Sequence, residues 1–140
     1  MGFLLKKIRM KSTKYKVIFE SFAERHFIKS FAKKYKGAWD FTFKFLEKEF
    51  EQIDLLFFKN IAEIIVDSEK ISICKVEFKI AGSNQSRHGS GNRCIVAIHK
   101  DRDMVCVLLV YGKTDLGDGN ETAKWKQTIK ENYKQYSHLF

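Results

Sequence analysis

Proline is absent from all 140 residues. Disordered linkers are rich in proline, so its absence argues for a chain that is compact along its length. Cysteine is scarce and odd in number. Cys74, Cys94 and Cys106 lie in apolar, strand-like surroundings with no C-x-x-C spacing. That excludes a disulfide framework and a zinc ribbon, and it predicts buried free thiols in a reducing compartment. No apolar run approaches the ~18 residues of a membrane span. The opening MGFLLKKIRMK has too short an apolar stretch for a signal peptide and lacks the Ser/Thr of a myristoylation signal. Asn120-Glu121-Thr122 spells a glycosylation sequon, read as accidental without an export signal. These absences predict a cytoplasmic protein with no membrane partner.

What is present suits one globular unit. Hydrophobic residues make up 44%, with thirteen phenylalanines, enough for one aromatic-rich core. The expected organisation is a basic lead-in over 1–13 and a single domain over 14–140. Net charge is +9 and unevenly placed: +9 over residues 1–36, −4 over 37–70 and +4 over 71–140. A basic excess of this size favours a polyanionic partner, or simply a solvated basic surface.

The periodicities give an order of elements. Tyr15, Val17 and Phe19 alternate with polar residues, which predicts a strand near 14–20. Ser21-Phe22-Ala23-Glu24 has the spacing of a capping box, opening a helix that ends by Gly37. A long second helical region is expected over 38–67, because Trp39, Phe43, Leu46, Phe50 and Ile53 recur at helical spacing; Asp54 marks a break in it. Ile71, Ile73, Val76, Phe78 and Ile80 predict a strand with a bulge in its middle. Strands at 95–99 and 105–111 flank a polar turn over 100–103. Asn120 is placed to cap a last helix running to about Tyr136. The expected fold is α+β, β-α-α-β-β-β-α, an antiparallel curved sheet packed on a helical hairpin with one face left for a partner.

The most informative stretch is VEFKIAGSNQSRHGSGNRCIVAIHKDRDMVCVLLVYGK, from Val76 to Lys113. Its loop holds Arg87, His88, three glycines and no carboxylate. Arg93 stands at the far lip, and Lys113 follows the last strand. Glycine lets a backbone approach an anion, and arginine offers a planar, permanently charged fork. The composition suits phosphate.

The element order, the Gly91-Asn92-Arg93 approach to a strand, and the run Leu108-Leu109-Val110-Tyr111-Gly112-Lys113 resemble the RelE/ParE superfamily of bacterial toxins. Members commonly carry a G-x-R before the third strand, then a strand ending in an aliphatic run and a lysine, then a short acidic loop and a helix. The stretch from Asp115 to Ile129 matches that last part. The resemblance implies a small four-stranded sheet with two helices packed on it, in a type II toxin paired with an antitoxin; the expected strand count is four. Many relatives are messenger-RNA endoribonucleases acting in the ribosomal decoding site, and others poison DNA gyrase. This chain departs in its length, in its extended acidic second helical region, and in the additional Ser, Asn and Gln residues and His88 of the loop.

Under that resemblance, RNA would be cut by attack of a 2′-OH on the adjacent phosphate. The reaction needs a base, cations for the developing charge, and an acid for the leaving oxygen. Arginine and lysine suffice as the cations, so neither metal nor cofactor is expected. The candidate catalytic residues are Arg93, Lys79, Lys113 and His88. Lys75, Arg87 and Tyr111 are the candidate substrate-binding residues. Lys75, Glu77 and Lys79 are expected to share one strand face. Each residue also has a plainer reading: Arg93 as a salt bridge to Glu77 or a contact to the antitoxin, Lys113 as a solvated amine, His88 as an exposed loop residue. His99, His26, His138 and Tyr136 carry no assigned role. The expected partners are RNA, with the ribosome, and an acidic antitoxin.

Three rival readings stay open. Asp67, Glu77 and Lys79 have the spacing of D…E-x-K metal-dependent nucleases. A basic face with Tyr15, Tyr111 and Phe78 would bind nucleic acid without cutting it. A gyrase-directed toxin would bind a protein.

Overall fold

The computed structural model describes residues 14–117 and 119–140. The expected lead-in over 1–13 lies outside the described residues. The architecture is α+β around a five-stranded sheet of order β1-β5-β4-β3-β2. The strands are β1 (Lys16–Phe19), β2 (Ala62–Asp67), β3 (Ile71–Phe78), β4 (Asn92–His99) and β5 (Met104–Tyr111). β2 to β5 form an antiparallel meander. β1 adds to β5 in parallel, so the sheet is mixed, which corrects the expected wholly antiparallel one.

Helix α1 follows β1 through Ser21–Ala23, a π-turn over Glu24–Ile28, and Lys29–Lys34. The expected capping box does not form. Glu20 is the N-cap residue and no side chain caps the helix. Gly37, at φ +73°, turns the chain into α2 (Ala38–Glu51), and α3 (Ile53–Phe58) follows a break at Gln52. The predicted helix over 38–67 therefore ends early, and 62–67 becomes β2. Its AEIIVD is rich in β-branched residues, and Asn60 at φ +58° lets the chain reverse after α3. The bulge falls in β2, between Ile64 and Val66, and β3 runs in unbroken register against β4.

Asn120 caps α4 (Glu121–Asn132) as expected, its Oδ1 accepting from the Ala123 amide at 3.1 Å. A 3-10 turn over Lys134–Leu139 closes the chain. Phe78 packs its ring on Phe31 and Trp39 from α1 and α2. The other face of the sheet meets α4, where Tyr111 donates to Glu121 Oε2 at 2.6 Å. β4 and β5 are buried along nearly their whole length. Both faces of the central strands are thus covered, where one open face was expected. Phe50, Ile53, Ile95, Leu108, Leu109, Trp125 and Ile129 are fully buried, each worth about 1.5–3 kcal/mol for its side chain.

Candidate functional site

The loop from 79 to 91 is the hub of the site, and it sends side chains in three directions. It is held from below. Arg93, second in β4, lies directly across from Glu77 on β3 and Tyr111 on β5, so the three form one row across the sheet. Its side chain is only 9% exposed. Arg93 Nη2 sits 3.3 Å from Glu77 Oε2 and donates to the His88 carbonyl at 3.1 Å. Nη1 donates to the Asn92 carbonyl at 2.9 Å and the Arg87 carbonyl at 3.4 Å. A planar fork with several donors suits this clamp better than lysine would. Arg93 offers no open fork to a phosphate; it fastens the loop to the sheet.

Arg87 is likewise engaged. Its two terminal nitrogens donate to Glu49 of α2 at 3.1 and 2.8 Å, a bidentate charge-assisted pair. Its guanidinium also lies 5.9 Å from the centre of the Phe45 ring. Ser90 completes the frame, its hydroxyl placed 2.6 Å from the Phe78 carbonyl and 2.7 Å from that of Arg87.

His88 differs from both arginines. Its side chain is 85% exposed, yet Nδ1 lies 2.6 Å from Glu77 Oε2. A carboxylate only accepts, so in the neutral ring the bond places the proton on Nδ1 and leaves the Nε2 lone pair free. The pair opens into a cleft of about 530 Å³ beside β2 and β3, whose lining includes Lys75, Glu63 and Asn60. Lys75 shares the face of Glu77 along β3. An oriented imidazole, a carboxylate behind it and an amine in one cleft is a set able to move a proton beside an anion.

The remaining candidates fall elsewhere. Lys79 lies past the end of β3 and lines a separate apolar hollow with Thr42, Phe45 and Ala81, so Lys75, Glu77 and Lys79 are not one face. Lys113 lines a third, polar pocket with Lys34 and Asn92. Tyr111 is 1% exposed, and its hydroxyl is taken by Glu121. Burial, then the bond to Glu121, pushes its phenol well above the usual range. It is a buried support and does not present a ring to substrate. Of the seven candidates, the cleft joins only His88 and Lys75, and Glu77, expected as the ion-pair partner of Arg93, is its third member.

The D…E-x-K arrangement does not assemble. Asp67 pairs in register with Ser72 and accepts from its hydroxyl at 2.6 Å and from Lys100 at 2.7 Å. Glu77 stands at the other end of β3, on the order of 17 Å along the strand at 3.3 Å per residue. Among the described residues no cluster of three His, Cys, Asp or Glu side chains is set to hold a metal. No helix among them is long and apolar enough to cross a membrane.

No family model, curated protein or solved structure matches this chain.

Proposed function

We propose that this chain is a RelE/ParE-like toxin that cuts RNA without metal, using His88 as the general base in the cleft beside β2 and β3. The observation that carries the reading is the 2.6 Å contact between His88 Nδ1 and Glu77 Oε2, with Lys75 lining the same cleft. His88 Nε2 takes the proton of a 2′-OH, and Glu77 steadies the imidazolium that forms. The oxygen attacks the adjacent phosphorus, and the Lys75 amine offsets the charge on the phosphoryl oxygens. The 5′ oxygen leaves with a proton returned by the imidazolium or by water. The products are a 2′,3′-cyclic phosphate and a 5′-hydroxyl. Arg93 acts in this scheme as a positioning residue through Glu77 and the loop. Messenger RNA on the ribosome is the substrate the resemblance points to, in the cytoplasm. An acidic antitoxin is the partner it implies. Phe41 and Phe45, 73% and 56% exposed on one side of α2, support a protein partner as well.

A second reading has its own support. With Arg87 held by Glu49 and Arg93 by Glu77, the two strongest phosphate forks are occupied internally. That favours a protein that binds RNA, or a gyrase-like target, and cuts nothing.

One experiment separates them. Purified protein is incubated with free RNA, with and without EDTA, and separately with messenger RNA on ribosomes kept assembled in magnesium, and the ends are mapped. Cleavage giving cyclic phosphate ends, lost in His88→Ala and reduced about 10²-fold or more in Glu77→Gln, is the expected result. RNA left whole in every condition overturns cleavage and leaves binding. Cleavage abolished by EDTA overturns the metal-free scheme.

A further inference from the structure

The polar pocket around Lys113 stands apart from the His88 cleft and has features of a binding site in its own right. It occupies about 280 Å³ between the end of α1 and the turn after β5. Asn92 forms its inner wall. This residue is 7% exposed, its backbone amide bonds to Ser90 and its carbonyl accepts from Arg93, but its side-chain amide has no partner among the described residues. The amide is not sealed in the core, since Trp125 Nε1 is the one buried side-chain polar atom without a partner among the described residues; the amide atoms border the pocket and are open to a ligand. Two cations flank it from different elements. Lys34 ends α1 with its amine 5.3 Å from the centre of the Tyr35 ring. Lys113 is exposed and has no ion pair among the described residues.

The approach of the two loops is tight. A Cβ on Gly91 would meet Lys113 Cβ at 2.8 Å, and one on Gly112 would meet Asn92 Oδ1 at 3.2 Å. The backbone thus fixes the root of Lys113 and the Asn92 amide against each other. Asp115 is the one acidic side chain in the lining, and its Oδ2 accepts from the Gly112 amide at 2.6 Å. Lys34, Lys113 and Asp115 together still leave an excess positive charge.

We infer that this pocket, where the unpartnered Asn92 amide meets Lys34 and Lys113, is a second RNA-holding site that takes a backbone phosphate of a single strand. The Asn92 amide donates to a phosphate oxygen, and the two lysines neutralise it and its neighbour. The loop that supplies His88 to the cleft also supplies Gln85 and Ser90 to this pocket, so one strand crossing the loop reaches both. The inference rests on the reading above for its ligand, RNA, and not for cleavage.

The test uses the His88→Ala chain, so that RNA stays whole, and the anisotropy of a fluorescein-labelled single-stranded RNA dodecamer across a salt series. Lys34→Ala/Lys113→Ala is expected to weaken binding about tenfold and to make the slope of log K against log salt shallower by about 1.4, for two contacts on a single strand. Asn92→Asp, equal in size but anionic, is expected to weaken it several-fold. Lys130→Ala/Lys134→Ala removes the same charge near the C-terminal turn and is expected to change binding less than twofold. Pocket variants that bind like the parent, or a control pair that weakens binding equally, overturn the inference. Lysine-dependent binding with RNA left whole by the parent protein sinks the cleavage reading and leaves this site standing. Cleavage with lysine-independent binding does the reverse.

Discussion

Arg93 and Glu77 face each other in register across β3 and β4, with Nη2 3.3 Å from Oε2, and the same carboxylate oxygen lies 2.6 Å from His88 Nδ1. One glutamate thus links a buried cation to an exposed imidazole. The arginine holds the loop from the inside, and the histidine takes its orientation from the same anchor. A glycine-rich segment that would otherwise sample many conformations is fixed where the cleft needs it.

That arrangement predicts a stability effect at Arg93. Arg93→Ala removes one partner of a largely buried pair and leaves the carbonyls of Arg87, His88 and Asn92 each short of a donor. The expected loss is about 2–4 kcal/mol, read from guanidinium unfolding, with faster amide exchange over 86–91. An arginine serving only as a solvent-facing phosphate fork would show neither change. A loss under about 0.5 kcal/mol, the usual range of surface substitutions, would remove the clamp from this account.

The three thiols give a prediction about reactivity. Cys74, Cys94 and Cys106 are buried and unpaired, and burial pushes each thiol upward. The thiolate is the reactive form, so the folded protein is expected to react with an aromatic disulfide reagent only as fast as it unfolds. Denatured protein should release the full three equivalents at once. Rapid reaction of one thiol in the native state would place that cysteine at the surface.

Glycine positions separate packing from backbone freedom. Gly91 and Gly82 both have positive φ, +74° and +81°. A Cβ at Gly82 meets open space, whereas one at Gly91 collides with Lys113 Cβ at 2.8 Å. Gly82→Ala is expected to cost about 1–2 kcal/mol for the left-handed backbone alone. Gly91→Ala adds an overpacking cost of about 1–3 kcal/mol, because the root of Lys113 cannot swing away as a chain end would. Equal melting shifts for the two variants would show that the loop relaxes freely.

Much of the fold was legible from pattern, and the misreadings have physical causes. Alternation located β1, spaced apolar residues located β3, unbroken apolar runs located β4 and β5, and Asn120 announced its own helix cap. Periodicity extends the expected helix through 62–67, because Ile61, Ile64 and Ile65 continue the helical spacing of the residues before them. The segment's isoleucines and valine, next to the left-handed turn at Asn60, decide for a strand once β3 is there to pair with. The parallel docking of β1 on β5 joins residues far apart in sequence, which local periodicity does not register. At the site, the composition of the loop pointed to the right segment, but not to how its charges are used. Arg87 and Arg93 were legible as cations. Their partners Glu49 and Glu77 are neighbours only after α2 and β3 are in place. The plainer expectation for Arg93, a salt bridge to Glu77, is the one the structure shows, because the two stand directly opposite in the β3–β4 ladder; the contact of Glu77 with His88 was not legible.

His99 supplies a pH dependence with a definite sign. Its Nε2 lies 2.7 Å from the Tyr136 hydroxyl at the end of β4. Burial lowers its pKa from 6.5, the Arg102 cation lowers it further, and Asp101 acts in the opposite direction. The unfolded chain therefore binds a proton at this position more readily than the folded one. Stability from neutral His99 is fully present above the unfolded value of 6.5 and is lost as pH falls through the lower folded value. Denaturant midpoints should thus drop from about pH 7.5 to about pH 5 more steeply in the parent than in His99→Gln, which keeps a polar group near Tyr136 but does not titrate. The difference between the two curves isolates this residue from His26, His88 and His138. Parallel curves would mean that His99 is protonated as easily inside the fold as outside it, and the burial argument at that end of β4 would fail.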